Sequence, residues 1–311
     1  MRAFLMAAAA ALMVTTACES IPVSSPQGTA SPAPQTSHDA PWREVEAENL
    51  VILKTLTGEA VIELAANAAP AHAAQFREAV RANLYNDEFF YRVIDGHVAQ
   101  AGLEFEHRLG GWAELSLEAE RPIEIDGFVP LGNPDLFAEA TGHRDGFAVG
   151  REGGQEWLLH CPGALGMARD TAPDSGATEL YIAIGQRRYL DRNYTLFGRV
   201  IAGMDHINRL DRVDPTPEDA LAAFLDPETS EEALARRAER LAANRILSVG
   251  VAADMPADIR PRWEVMATHS AEWEILKDSK RDYGAVDAFV VTPPKRLDIC
   301  TLPVPARQIS D

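Results

Sequence analysis

The sequence predicts a mainly β fold, and three stretches carry that prediction. Residues 50–64, LVILKTLTGEAVIEL, set two short apolar runs on either side of Thr57-Gly58, the pattern of a hairpin. Residues 89–102, FFYRVIDGHVAQAG, set a second pair of runs around Asp95-Gly96, where aspartate and glycine favour a turn. Residues 246–252, ILSVGVA, alternate as a half-buried strand does. With 311 residues, 46% hydrophobic and 24% charged, the composition is globular and suffices for one large domain or two small ones. A formal net charge of -18 argues against a nucleic-acid partner, whose phosphates need a basic footprint, and against electrostatic attachment to an anionic membrane. The acidity serves solubility.

The chain begins MRAFLMAAAAALMVTTACES: a single basic residue, an apolar run over residues 3–14, then small residues before Cys18. The run is too short for a mature membrane span and reads as an export signal over residues 1–18. Its TTAC ending resembles a bacterial lipobox, which would make Cys18 the lipid-bearing first residue and the membrane contact a lipid anchor only. Thr15 stands where that pattern usually has leucine, so cleavage by the ordinary signal peptidase is the alternative. Either way the expected location is the periplasmic side of a bacterial envelope. Residues 19–40 are dominated by Ser, Pro, Thr, Ala and Gln and lack aromatic residues, so they cannot bury enough surface to fold. A disordered linker is assigned to 19–45, with a reach of roughly 60 to 70 Å if its prolines keep it extended.

After the hairpin, residues 69–85 carry Phe76, Val80 and Leu84 at a spacing of four, with Pro70 near the start where a helix tolerates it. The strand pair at 89–102 follows. Arg92 is the residue to explain there, because a strand burying one face has no packing reason for a guanidinium. It sits either on a wet strand face or at a groove.

Three downstream motifs bear on that choice: GALGMAR at 163–169, TELYIAI at 178–184 and YLDRNYTLFGRV at 189–200, with Gly203-Met204 opening a helix through Leu210. Together with FFYRVIDGHVAQAG they resemble, in order, four motifs of the cyclophilin family of peptidyl-prolyl cis/trans isomerases. The resemblance implies a closed antiparallel eight-stranded barrel capped by two helices, over residues 46–253. It implies no cofactor and no metal, and a proline-containing polypeptide as partner; the sequence leaves the oligomeric state open, with a monomer the simplest expectation.

By the same resemblance Arg92 is the catalytic donor to the twisted X-Pro amide, and Gln100 contacts substrate. His97, Val98, Tyr181 and Leu190 map to the proline pocket, and Met167, Ala168 and Arg169 to the edge that meets the substrate backbone. Glu179, Tyr189 and Tyr194 complete the substrate-binding set. His97 and Tyr181 stand where the family has phenylalanine, and Glu179 where it has glutamine. Their polar atoms are expected to pair with each other or with Glu179, since buried unpaired polar atoms cost about 1 to 3 kcal/mol. The expected role is folding of envelope proteins. The alternatives are a binding module or chaperone that holds proline segments without useful turnover, and a structural lipoprotein whose groove is filled by its own insertion.

That insertion, residues 103–162, is rich in Gly, Pro and Glu; PLGNPD at 130–135 and GREGG at 150–154 are loop signals, and 123–125 make at best a short strand. It reads as long irregular cover over one barrel end. Thr229 and Glu232 form a capping box before a helix expected over 230–244, within an extra segment at about 218–245. Residues 254–311 form a C-terminal extension apolar enough to pack on the barrel. Cys161 and Cys300 could pair in an oxidising compartment. Sequence fixes no distance between them, and two unpaired buried thiols is the simpler reading. The 8 histidines include no i, i+4 pair for a zinc helix. His160-Cys161 does not make an activated thiol, because neighbours on a strand point to opposite faces.

Overall fold

The structure is a computed structural model and describes residues 41–102, 111–124, 126–214, 239, 241–284 and 288–310. The export signal with Cys18, the linker through residue 40, the start of the insertion at 103–110 and most of the 230–244 helix with its capping box lie outside the described residues. One boundary changes. The last residues assigned to the linker form a strand, β1 (Trp42–Glu44), because it pairs antiparallel with a strand of the C-terminal extension.

β2 (Leu50–Thr55) and β3 (Gly58–Leu64) make the expected hairpin, in unbroken register from Leu50↔Glu63 to Thr55↔Gly58. α1 (Pro70–Arg81) follows and buries Phe76 and Val80, but it ends earlier than the spacing predicted, so Leu84, the third residue of that pattern, lies in the turn beyond it. Its first free amides, on Ala71 and His72, donate to the Glu118 carboxylate at 3.2 and 3.1 Å, so an anion sits at the positive end of the helix. β4 (Phe90–Val93) and β5 (Val98–Ala101) form the second hairpin.

The remaining barrel strands come from beyond the insertion: β11 (Ala164–Met167), β12 (Leu180–Ala183), β13 (Leu196–Ala202) and β14 (Ile246–Val251). The eight-stranded sheet runs β14-β2-β3-β13-β11-β12-β5-β4, antiparallel at every ladder. Its two edges meet at the Phe89↔Arg245 bridge, where the Ile246 amide donates to the Glu88 carbonyl at 2.7 Å, so the barrel is nearly closed. Phe76, Tyr85, Phe90 and Phe197 fill the core beside Ile62, Leu165 and Ile182. Each such side chain contributes about 1.5 to 3 kcal/mol by leaving water. α2 (Met204–Asn208) is the second barrel helix, shorter than the expected run to Leu210.

The insertion is more ordered than its glycines suggest. It carries β6 (Arg121–Pro122), β7 (Phe128–Pro130), β8 (Ala140–Arg144), β9 (Phe147–Glu152) and β10 (Gln155–Leu158) in one antiparallel sheet, order β6-β10-β9-β8-β7. Of the loop signal at 150–154 only Gly153-Gly154 is a turn, the first three residues belonging to β9, and the signal at 130–135 starts at the last residue of β7. Asp145 and Gly146, at φ 48 and 85, link β8 to β9, and Gly153 and Gly154, at φ 56 and 82, link β9 to β10. Two successive positive φ values are what a two-residue hairpin with native twist requires.

The C-terminal extension adds β15 (Trp263–Met266), α3 (Ala271–Arg281) and β16 (Ala306–Gln308), with sheet order β1-β15-β16. Val265 packs with Leu50, Ile52 and Val61 of the barrel hairpin. Trp273 of α3 is fully buried with Trp157, Leu159 and Leu131 of the insertion. The expectation of two free thiols is corrected: Cys161 and Cys300 form a disulfide across a sequence separation of 139. The fold brings their Cα atoms to 4.8 Å, a proximity no local pattern encodes. Closing so long a loop removes unfolded-state entropy equivalent to about 4 to 5 kcal/mol in the chain-entropy account.

Candidate active site

Arg92 and Gln100 face each other across the β4–β5 ladder, which puts both side chains on one face of the sheet. The Arg92 Nη1 donates to Gln100 Oε1 at 3.2 Å. Gln100 is itself held, its Nε2 donating to the Tyr91 hydroxyl at 2.6 Å and to Glu179 Oε2 at 3.1 Å. The amide therefore has one orientation, with its carbonyl turned to the guanidinium. Arg92 has five N–H donors, and among the described residues no carboxylate lies within ion-pair distance of it.

In front of this pair is a groove of about 160 Å³ lined by Arg92, His97, Val98, Gln100, Ala168, Arg169, Tyr181, Leu190 and Tyr194. Nine of the twelve groove residues named from sequence thus meet at one place. Larger cavities of about 350 and 410 Å³ lie elsewhere, and neither is lined by Arg92. Three residues fall outside the lining. Met167 is 2% exposed and packs in the barrel core with Leu165, since alternate residues of β11 point inward. Glu179 is buried behind Gln100, and Tyr189 stands 61% exposed on the surface.

The expected pairing of His97 and Tyr181 with each other or with Glu179 does not occur; each has another partner. The Tyr181 hydroxyl lies 2.8 Å from His160 Nε2, and His160 Nδ1 lies 2.9 Å from Asp191 Oδ1. A carboxylate only accepts, so Nδ1 carries the proton and Nε2 accepts from the Tyr181 O–H. Asp191 is fixed by Arg188 at 2.5 Å, and Arg188 by Asp135 of the insertion at 3.0 Å. Burial, reinforced by Tyr194 and Asp191, pushes the Tyr181 phenol well above its usual pKa, so it remains a donor. Its polar atom is thereby turned out of the groove, leaving the ring as the wall.

Gly166 makes room for this, pairing with Tyr181 across β11–β12. A Cβ at 166 would come within 2.4 Å of the Tyr181 hydroxyl and 2.3 Å of its ring. Gly166→Ala is expected to force the ring into the groove. Overpacking costs about 1 to 3 kcal/mol, so kcat/KM for a proline peptide should fall by roughly 5- to 150-fold. An unchanged kcat/KM would show that the ring yields freely.

His97 is half-buried, and its Nδ1 accepts from Arg187 Nε at 3.2 Å. Burial first, then the positive charges of Arg92 and Arg187, lower its pKa, so the ring stays neutral. Both substituted positions therefore present flat rings, with the Tyr181 hydroxyl and the His97 Nδ1 each held by a partner outside the groove lining.

Residues 50–223 match the family described as Cyclophilin type peptidyl-prolyl cis-trans isomerase/CLD. The chain belongs to the cyclophilin family. A probable peptidyl-prolyl cis-trans isomerase of Brucella suis is 32% identical over 166 residues, which is 53% of this chain and 72% of that one. The peptidyl-prolyl cis-trans isomerase of Acinetobacter baylyi is 30% identical over 172 residues, covering 54% and 74%. Among solved structures, the cyclophilin AquaCyp293 from Hirschia baltica aligns with a TM-score of 0.66 at 26% identity, covering 86% of this chain and 93% of its own. That likeness takes in more of the chain than the family match does. This cyclophilin is accordingly an isomerase of peptidyl-prolyl bonds.

Sequence reasoning missed four residues that support the lining of the cyclophilin groove from behind: Gly166, His160 and Asp191 at Tyr181, and Arg187 at His97. His160 was weighed only as a partner for Cys161. Its true partner, Asp191, is 31 residues away, and the one available hint was the tyrosine at 181, whose hydroxyl needs a buried acceptor.

Proposed function

We propose that this cyclophilin isomerises X-Pro bonds of folding envelope proteins, with Arg92 stabilising the twisted amide and no covalent step. Resonance sets a barrier of about 18 to 20 kcal/mol to rotation, while the X-Pro isomers differ by only about 0.5 to 1 kcal/mol, so only the barrier needs lowering. As the amide twists, its nitrogen becomes pyramidal and able to accept a hydrogen bond. A fixed donor at that position favours the twisted state over the planar one. The observation that carries the reading is Arg92, held by Gln100 at the edge of the groove and left un-neutralised by any described carboxylate. Val98, Tyr181 and Leu190 supply apolar surface for the proline ring. No described residue of the insertion lines the groove.

NMR exchange spectroscopy on a proline tetrapeptide tests the reading. Catalysed exchange by the purified chain is expected; peptide binding without exchange would overturn it in favour of a holding module.

The envelope location rests on the first 18 residues, and the Cys161–Cys300 disulfide supports an oxidising compartment. Lipidation at Cys18 predicts that Cys18→Ser loses incorporation of labelled palmitate and leaves the membrane fraction. Retention of label by the variant would rule it out.

A further inference from the structure

We infer that the groove selects proline segments with an acidic side chain beside the proline, an inference that rests on the isomerase reading above. The chain is strongly acidic at -18, and most of its described arginines have a carboxylate partner. Arg188, Arg192 and Arg212 follow that pattern: Arg188 pairs with Asp135 and Asp191, Arg192 with Glu120 and Glu152, and Arg212 with Asp95.

Among the described residues, three arginines at the groove have no carboxylate partner. Arg92 donates to the neutral Gln100 side chain at 3.2 Å. Among the described residues Arg169 donates to backbone carbonyls, of Asn193 at 2.8 and 3.0 Å, Asp170 at 2.8 Å and Thr171 at 3.3 Å. Arg187 donates to the unprotonated nitrogen of His97 at 3.2 Å and to the Gln186 carbonyl at 3.2 Å. Neutral acceptors fix where these guanidiniums sit, and no described carboxylate pairs with their charge. Two carboxylates beside the groove are buried and already engaged: Glu179 accepts from Gln100, and Asp191 from Arg188 and His160, while the exposed Asp170 meets Arg169 through its backbone carbonyl.

Placement gives the charges a use. Arg169 stacks on the Tyr194 ring with its guanidinium carbon 4.6 Å from the centroid, and Tyr194 meets the Tyr181 wall edge-on at 6.1 Å. Arg187 lies beside His97, another part of the lining. A proline against Tyr181 therefore has a fixed cation within reach of its chain neighbours. A carboxylate there would gain charge-assisted hydrogen bonds, roughly twice as strong as neutral ones, and a lysine would meet like charge. The low effective dielectric of a partly buried groove enlarges both effects.

The test measures kcat/KM by NMR exchange for peptides with Glu, Ala or Lys placed just before, or just after, the proline. The full chain is used at low and at 0.5 M salt. The Glu peptide is expected to exceed the Lys peptide by about tenfold or more in at least one series, the ratio shrinking at high salt as screening sets in. Arg187→Gln and Arg169→Gln, each with its thermal unfolding recorded, should cut that ratio at least threefold. A Glu/Lys ratio near one in both series for the wild-type chain overturns the inference while leaving the isomerase reading intact. Absence of exchange with the alanine-flanked peptide overturns the isomerase reading and this inference with it.

Discussion

Arg92→Ala should lower kcat/KM for a proline peptide about 100- to 1000-fold while leaving the thermal unfolding midpoint nearly unchanged. The magnitude is that of removing one preorganised donor from a site of developing charge. Little stability is at stake, because Arg92 is part-exposed and its described bond is a single one to Gln100, which keeps Tyr91 and Glu179 as partners. Arg92→Lys should recover only part of the loss. A lysine carries the charge but not the planar fork that can hold Gln100 and still reach the substrate. Exchange rates by NMR decide the matter: equal rates for wild type and Arg92→Ala would remove Arg92 from the mechanism. A matching fall in stability would assign it a structural role instead.

The parts of this molecule that a reader of the sequence could see are those with short-range causes. The β2–β3 hairpin, α1 with Phe76 and Val80, and the strand pair that sets Arg92 opposite Gln100 each arise from a pattern a few residues long. The insertion sheet escaped because its strands are short and its turns, Asp145-Gly146 and Gly153-Gly154, have the composition of loops. β1 escaped because three residues carry no periodicity and its partner is at the far end of the chain. The same reason hid the Cys161–Cys300 bond and the His160–Asp191 contact. His97 and Tyr181 could be named as groove residues, but what satisfies their polar atoms depends on residues brought in by tertiary folding. Reading them without Arg187, His160 and Gly166 made the groove look more polar than it is.

The largest stability effect is expected at Glu156, which no sequence pattern singles out. It is 0% exposed, yet it lies on β10 directly opposite Arg151 of β9 and Arg121 of β6. Oε1 accepts from Arg121 at 2.7 Å and from Arg144 at 2.8 Å, and Oε2 from Arg151 at 2.8 Å. One carboxylate thus holds three guanidiniums together at the centre of the insertion sheet. Removing it leaves three largely desolvated cations facing one another, and breaking a buried ion pair from one side costs about 3 to 5 kcal/mol. Glu156→Ala should therefore lower the unfolding midpoint by roughly 6 to 20 °C. Glu156→Gln should lower it less, because an amide keeps one acceptor and the shape but not the charge. Isomerase activity at 25 °C should stay within about twofold if the sheet is a separate support. The insertion does reach the groove through Asp135, which holds Arg188, then Asp191, His160 and Tyr181. Should Glu156→Ala lower activity in a chain still folded at the assay temperature, the change must travel along that path. Asp135→Asn, which weakens the path and leaves Glu156 untouched, would then reproduce the loss.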